Sequence, residues 1–145
     1  MIRIGPSPIA GQGVFATQPI ARGTRILEYV GEKISKQESA RRLAAYNNYI
    51  FHLNYRYDLD GQSLENTARY INHSCEPNCE IEKVEDRIWI LALRDIQVDE
   101  ELSSNYGYDA KEYEKFPCHC GARGCCGYML GREYWGLIKP PPVSD

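Results

Sequence analysis

Four of the six cysteines fall within nine residues, in the stretch "PCHCGARGCCG" from Pro117 to Gly127. Cys118, Cys120 and Cys125 follow a C-x-C-x4-C spacing, and Gly121 and Gly124 let the backbone wrap around an ion. Zinc takes four tetrahedral ligands, and thiolates in a short glycine-rich loop suit it. Three cysteines are one ligand short. The natural donors of the fourth are Cys75 and Cys79, and either would staple the C-terminal loop to a segment far upstream. His119 sits between two ligands and should point away. A closed, structural site is expected rather than one with an open water position.

Two other uses of these cysteines are weaker. Six cysteines allow 15 disulfide pairings. The start, "MIRIGPSPIAGQG", has no secretory core, and a chain of 145 residues can bury a sizeable core without staples. The protein is therefore expected inside the cell, where thiols bind metal. A zinc deaminase needs H-x-E and P-C-x-x-C. Here His52, His73 and His119 are followed two places on by Asn54, Cys75 and Gly121, and Cys118 has Gly121 three places later. H-E-x-x-H is absent as well.

A net charge of −3 gives no basic surface for phosphates, so no direct nucleic-acid binding is expected. No apolar run spans a bilayer, so no membrane partner is expected. The charge is compatible with a basic protein partner. Oligomeric state is not encoded legibly. The 11 tyrosines against 3 phenylalanines suit either core positions with bonded hydroxyls or a channel with polar lips.

Short strands dominate the pattern. "RILEYVGEKI" reads as a strand ending around Gly31. Ser35 and Glu38 have capping-box spacing for a helix that Asn47 and Asn48 end. "YIFHLNYRYDLDG" alternates, with Tyr49, Phe51, Leu53, Tyr55, Tyr57 and Leu59 on one face, and reads as one half-buried strand closed by an Asp-Gly turn. "RIWILAL" reads as a buried strand, and "RDIQVDEELSSNY" as a turn and a short strand. "DAKEYEKF" suggests a helical turn boxed by Asp109 and Glu112. Strand–helix alternation is missing, so a doubly wound nucleotide-binding sheet is not expected.

The remaining motifs resemble one family. "RYINHSCEPNC" (69–79) resembles the signature of SET-domain protein lysine methyltransferases, with tyrosine where phenylalanine is commoner. "GQGVFATQPIARGTRILEYVGE" resembles the family's N-terminal block, "ELSSNYGYD" its C-terminal catalytic block, and "CHCGARGCCG" its cysteine-rich post-SET segment. The four blocks occur in family order across nearly the whole chain. The resemblance implies a mainly β fold of small sheets (a β-clip) with a C-terminal pseudoknot and few short helices. It divides the chain into a SET domain (1–110), a post-SET zinc segment (111–138) and a disordered tail (139–145). It also implies S-adenosylmethionine as methyl donor and a lysine of a histone or other basic protein entering a narrow channel from the opposite face.

Residue roles follow from the same likeness. Tyr106 is implied as the catalytic tyrosine, also touching the cofactor, and Tyr49 as a catalytic channel tyrosine that bonds the substrate amine. Gly11, Gly13, Asn72 and His73 are implied cofactor residues, with Arg69 and Asn66 bracing the knot and Pro77 shaping the backbone. Cys75 is the implied fourth zinc ligand, beside Cys118, Cys120 and Cys125. Ser104 and Trp135 are expected at the substrate channel, Trp135 as a lid. Three residues depart from the family, Ser103-Ser104-Asn105 replacing the frequent Thr-Phe-Asp, and the last two matter most. A serine at position 104 leaves room for di- or trimethylation, and Asn105 removes a charge. The rival readings are a SET-like module that binds a peptide without catalysis, and a structural zinc protein that would leave the G-x-G block unexplained. A compact domain without flanking modules or an import run suggests a cytoplasmic bacterial protein, or a nuclear one if the source is a nucleated cell.

Overall fold

The computed structural model describes residues 1–111 and 113–138. Small sheets dominate, as expected. Strands β1 (Ile2–Pro6) and β2 (Gln12–Ala16) form an antiparallel hairpin. Strands β3 (Arg25–Tyr29), β8 (Cys79–Val84) and β9 (Arg87–Ala92) form a sheet in the order β3-β9-β8. A second sheet orders β4 (Glu32–Ser35), β5 (Ile50–His52) and β6 (Tyr57–Asp60) as β4-β6-β5. Among the described residues there is one α-helix, α1 (Lys36–Ala44), which packs on β4 and β6.

The alternating pattern of "RIWILA" is used directly. Ile88, Ile90 and Ala92 are buried in the core, while Arg25 and Arg87 lie over the Trp89 ring on the opposite face at 5.9 and 5.0 Å. Val14, Ile20, Ile96 and Leu102 complete the core, so the N-terminal hairpin and residues from beyond β9 share one apolar interior. Bridges between Phe15 and Glu101 and between Ile20 and Ile96 hold that arrangement.

Three local expectations change. The first strand of "RILEYVGEKI" ends just before Gly31 as expected, but the rest of the segment continues as a second strand, and a Cβ at Gly31 would lie 2.2 Å from the Asp60 carbonyl oxygen. The segment 49–61 is a hairpin rather than one strand. Asn54 Oδ1 accepts the backbone N–H groups of Arg56 and Tyr57, both at 2.9 Å, and this Asx turn folds the chain back so that Phe51 pairs with Leu59. Tyr55, assigned to the core face, is accordingly exposed at the turn. Helix α1 is capped as expected, with Ser35 Oγ accepting from Glu38 N–H, but it ends at Ala44. Tyr46, at φ 65°, terminates it before Asn47 is reached. Asn47 instead donates to Asp60 at 2.9 Å. Near Asp109 the structure has a short 3-10 turn, Tyr113–Lys115. Glu112 and the tail 139–145 lie outside the described residues.

The topology then crosses itself. Strand β7 (Asn72–His73) pairs in parallel with β10 (Ser103–Ser104), Asn72 opposite Ser103 and His73 opposite Ser104. This is the expected C-terminal pseudoknot. Buried Asn78 clamps it, accepting the Ser103 N–H and donating to the Glu101 carbonyl, both at 2.8 Å. Asn66, with no exposed surface, accepts from Val30 N–H at 3.2 Å and donates to the Gly61 carbonyl at 2.9 Å.

Gly61 is tightly enclosed by Tyr29 and Asn66. A Cβ there would lie 2.2 Å from the Tyr29 ring and 2.5 Å from Asn66 Nδ2. Gly61→Ala is expected to destabilise the fold by about 1–3 kcal/mol through overpacking. Urea unfolding should show a lowered midpoint at unchanged m, and an unshifted midpoint would mean the neighbours relax freely.

Candidate functional site

The β7–β10 crossing fixes the geometry of the candidate site. His73 is 1% exposed, and its Nδ1 accepts the Tyr106 backbone N–H at 3.0 Å. Burial lowers the His73 pKa to about 4, so the imidazole is neutral. Because Nδ1 accepts, the proton sits on Nε2, which faces Cys75 Sγ at 3.6 Å. His73 therefore ties the Tyr106 backbone to the cysteine cluster and does not line the cavity. The Tyr106 hydroxyl donates to the Ile71 carbonyl at 2.6 Å. Burial, with the Tyr108 and Tyr49 phenols nearby, raises its pKa well above the ordinary tyrosine value.

A cavity of about 720 Å³ opens beside these residues. Gly11, Tyr49, Asn72, Ser104 and Tyr106 all border it, so four stretches far apart in sequence converge there. Gly13 does not; it lies behind the wall, where a Cβ would meet Glu101 Oε1 at 2.2 Å. Asn72 spends its amide on the N-terminal loop, with Nδ2 3.0 Å from the carbonyls of Ala10 and Gln12 and from Glu101 Oε1. The side chain thus holds the 10–12 backbone in place. Gly11, at φ 45° with open space where a Cβ would sit, keeps that backbone bare toward the cavity.

Several wall residues escaped the sequence reading. Tyr29, 5% exposed, borders the cavity, packs edge-on to Phe51 at 4.6 Å, and donates its hydroxyl to the Tyr49 carbonyl at 2.8 Å. Tyr108 borders it too, between Tyr106 and Phe116 at 5.9 and 4.6 Å. The C-terminal segment closes one side through Phe116, Pro117 and Met129. The structure does not bring Trp135 to the cavity: its Nε1 donates to the Leu130 carbonyl at 3.0 Å. Leu130 also explains Asn105. The Asn105 amide donates to the same carbonyl at 3.3 Å, a bond that a carboxylate could not make, while its Oδ1 accepts from Gly107 N–H. Glu101, the partner of Ser7 Oγ at 2.6 Å, was legible only as part of a motif.

Arg69 is the anomaly in the wall. Its guanidinium lies over the rings of Tyr49 and Tyr70 at 4.5 and 5.2 Å and borders the cavity. Among the described residues its Nε is the one buried side-chain polar atom without a hydrogen-bond partner. No carboxylate pairs with it there, although most of the chain's other arginines are ion-paired. A buried donor left unsatisfied costs about 1–3 kcal/mol.

The cysteines converge as the spacing required. Ligand atoms of Cys75, Cys118, Cys120 and Cys125 lie within 4.8 Å of one another, a group able to hold a metal ion. Cys79 is buried in the core, beside Ser103, away from this group. Cys126 Sγ lies 3.8 Å from Cys75 but outside the set of four. Burial raises the Cys75 thiol pKa, and that of Cys118 to about 12. In Cys120, burial is outweighed by the backbone N–H groups of Cys75 and Ala122, which hold its pKa down to about 7. Thiols held protonated by burial and by one another are what a divalent cation would deprotonate. The protein should carry a single equivalent of a thiophilic divalent ion, measurable by elemental analysis. Cys75→Ser should lose it and Cys79→Ser keep it, with retention falling as pH drops and the thiolates protonate. A Cys75→Ser protein with full metal content would place the fourth ligand elsewhere.

With that geometry in hand, the SET-domain family model matches residues 11–107. The chain is 37% identical over 145 residues to "Histone-lysine N-methyltransferase ash1" of Drosophila melanogaster, covering 93% of this chain and 6% of that protein. It is 39% identical over 135 residues to "Histone-lysine N-methyltransferase, H3 lysine-4 specific" of Candida albicans, covering 85% and 13%. To "Histone-lysine N-methyltransferase 2D" of Homo sapiens it is 36% identical over 138 residues, covering 88% and 2%. The chain thus spans only a small part of the length of these relatives. It belongs to the SET-domain family.

Proposed function

We propose that this SET-domain protein is a zinc-containing protein lysine methyltransferase that draws on S-adenosylmethionine and acts on a basic protein. Histones are the substrate class that the names of its relatives favour. The observation that carries this reading is the cavity itself, walled by Tyr49 and Tyr106 and bordered by Gly11 and Asn72, with an unpaired arginine in its side.

The wall fits the donor's chemistry. An amino-acid carboxylate would satisfy Arg69, and aromatic faces attract a sulfonium. The bare backbone at Gly11 admits close approach. The donor supplies an activated methyl: as the lysine nitrogen's lone pair forms the new N–C bond, the C–S pair returns to sulfur as a neutral thioether, and the ammonium sheds a proton to water. What the protein must do is position and deprotonate. Free lysine has a pKa near 10.4, so roughly one amine in a few thousand is nucleophilic at neutral pH. An aromatic, water-poor wall with a fixed guanidinium disfavours the ammonium form. Tyr106 has its hydroxyl proton committed to Ile71, so it offers lone-pair density to an electron-poor carbon, and its raised pKa keeps it neutral as the solution is made alkaline.

Zinc in the cysteine group supports the same site indirectly. Cys75 belongs to the loop that follows β7, whereas Cys118, Cys120 and Cys125 belong to the segment that supplies Phe116, Pro117 and Met129 to the wall. A metal there would fix that wall against the crossing. Ser104, buried and bordering the cavity, adds little bulk, which favours room for di- or trimethyl-lysine.

Labelled donor incubated with core histones and other purified basic proteins should yield labelled lysine. Tyr106→Phe should lower turnover by about 10²-fold, the order expected for losing a preorganised electrostatic contact. Donor retention without any transfer, across the whole panel, would favour the peptide-binding module instead. A second test concerns Arg69. Calorimetric titration should show the wild type preferring the intact donor over its decarboxylated analogue by about tenfold or more, and Arg69→Gln binding both alike. Equal loss for both compounds would make Arg69 only a brace.

A further inference from the structure

Outside the cavity, the features that packing does not explain gather at the end of helix α1. Tyr46 occupies the first position beyond the helix cap at φ 65°, a left-handed backbone where glycine is the usual residue. A residue with a Cβ is strained there, and this side chain is also 89% exposed. Leu64 and Leu43, 75% and 51% exposed, are left in water nearby. The three belong to one region. The Tyr46 N–H donates to the Leu43 carbonyl at 3.0 Å, and the neighbouring Asn47 amide donates to Gln62 Oε1 at 3.3 Å, two residues before Leu64. Arg42, Ser63 and Glu65, beside these leucines in the chain, border a cleft of about 460 Å³ that also takes in Val30, Glu32 and Asp60. Its lining carries three carboxylates and one guanidinium. Arg42 is engaged by Glu32 at 2.9 Å and by Asp60 at 2.7 Å, and the exposed Glu65 has no ion-pair partner among the described residues. The cleft and the cavity lie back to back: Gly61 N–H, next to Gln62, donates to the Tyr49 carbonyl at 3.0 Å.

Resting on the reading above, we propose that this acidic cleft and its apolar collar form a second docking surface for the basic protein substrate, taking a lysine or arginine flanked by apolar residues, remote from the lysine that is methylated. The occupant follows from charge. Excess carboxylate repels nucleic acid, and a second copy docked about a two-fold axis would set these carboxylates against their own equivalents. A basic segment is attracted instead, with Glu65 and Glu32 steering it and fixing its register. Tyr46 and Leu64 supply the apolar contact, and an exposed aromatic ring is the kind of side chain that anchors an interface. That use accounts for a tyrosine where backbone geometry favours glycine. A long substrate reaches both sites, whereas a short peptide around the target lysine reaches the cavity alone.

The test compares wild type, Tyr46→Gly and Glu65→Lys on an intact basic protein and on a short peptide around its labelled lysine. The intact protein is the one most strongly labelled in the panel, or purified core histones where none is labelled. Calorimetry gives its Kd, and turnover gives kcat/KM on both substrates. Tyr46→Gly should raise the Kd for the intact protein about tenfold, the scale of one aromatic interface contact, and lower kcat/KM on it to match. The peptide's kcat/KM should not change. The urea midpoint of Tyr46→Gly should be unchanged or higher, because glycine relieves the left-handed backbone. Glu65→Lys should weaken binding of the intact protein and flatten its salt dependence. Equal losses on peptide and intact protein, a lowered midpoint in Tyr46→Gly, or unaltered binding in both variants each overturn the proposal. So does a wild-type dimer that Tyr46→Gly makes monomeric in light scattering, since a second copy would then own the surface. Failure of the functional reading looks different: the wild type binds the intact protein through Tyr46 and Glu65 yet transfers no methyl group to it.

Discussion

The arrangement depends on a two-residue parallel ladder. Where β7 meets β10, two stretches some thirty residues apart in the chain are held side by side, and the groups on either side of the ladder become neighbours. On one side lies the cavity wall with Asn72, Ser104 and Tyr106; on the other lies Cys75 with its three partner cysteines. A ladder this short has little intrinsic stability. It is held by buried side-chain amides and by the His73 acceptor for the Tyr106 N–H. Each of these groups would be costly to leave unpaired in a dry interior, which makes the crossing rigid and specific.

The electrostatics of the cavity follow from what the ladder leaves unspent. Most buried polar groups around it are paired within the protein, including the acidic residues behind it: Asp58 is held by Lys36 and Ser39, and Asp60 by Arg42 and Asn47. Among the described residues, Arg69 Nε and the hydroxyls of Tyr49, Tyr70 and Tyr108 have no hydrogen-bond partner within the protein. The C-terminal segment completes the enclosure, with Asn105 and Trp135 converging on the Leu130 carbonyl so that Phe116 and Met129 stay against the cavity.

Much of this was legible in the residues. The cysteine spacing demanded a long-range ligand, and the strand "RIWILA" carried its own burial pattern. The motif around Asn72 and His73 pointed to the crossing. What misled was local polarity read as periodicity. The alternation through 49–61 is real, but Asn54 bonds its own backbone and folds the segment into a hairpin. Asp58 and Asp60, placed by the pattern on a wet face, are buried because helix α1 supplies their counter-charges. Trp135 was expected in the channel because the family resemblance implied that the C-terminal segment closes over it, yet its indole N–H found a carbonyl in its own segment.

The sequence by itself determined the chemistry available: thiols in metal-binding number, an excess of phenols, a glycine-flanked N-terminal turn and the order of the blocks. Ligand count, hydroxyl inventory and backbone permissiveness are properties of composition and spacing, and they survive any error in the fold. Only the tertiary structure decided which thiol completes the four, which phenols keep a free hydroxyl and which arginine goes unpaired. Those outcomes depend on competition between partners for the same buried group, and that competition is settled only when distant segments pack together.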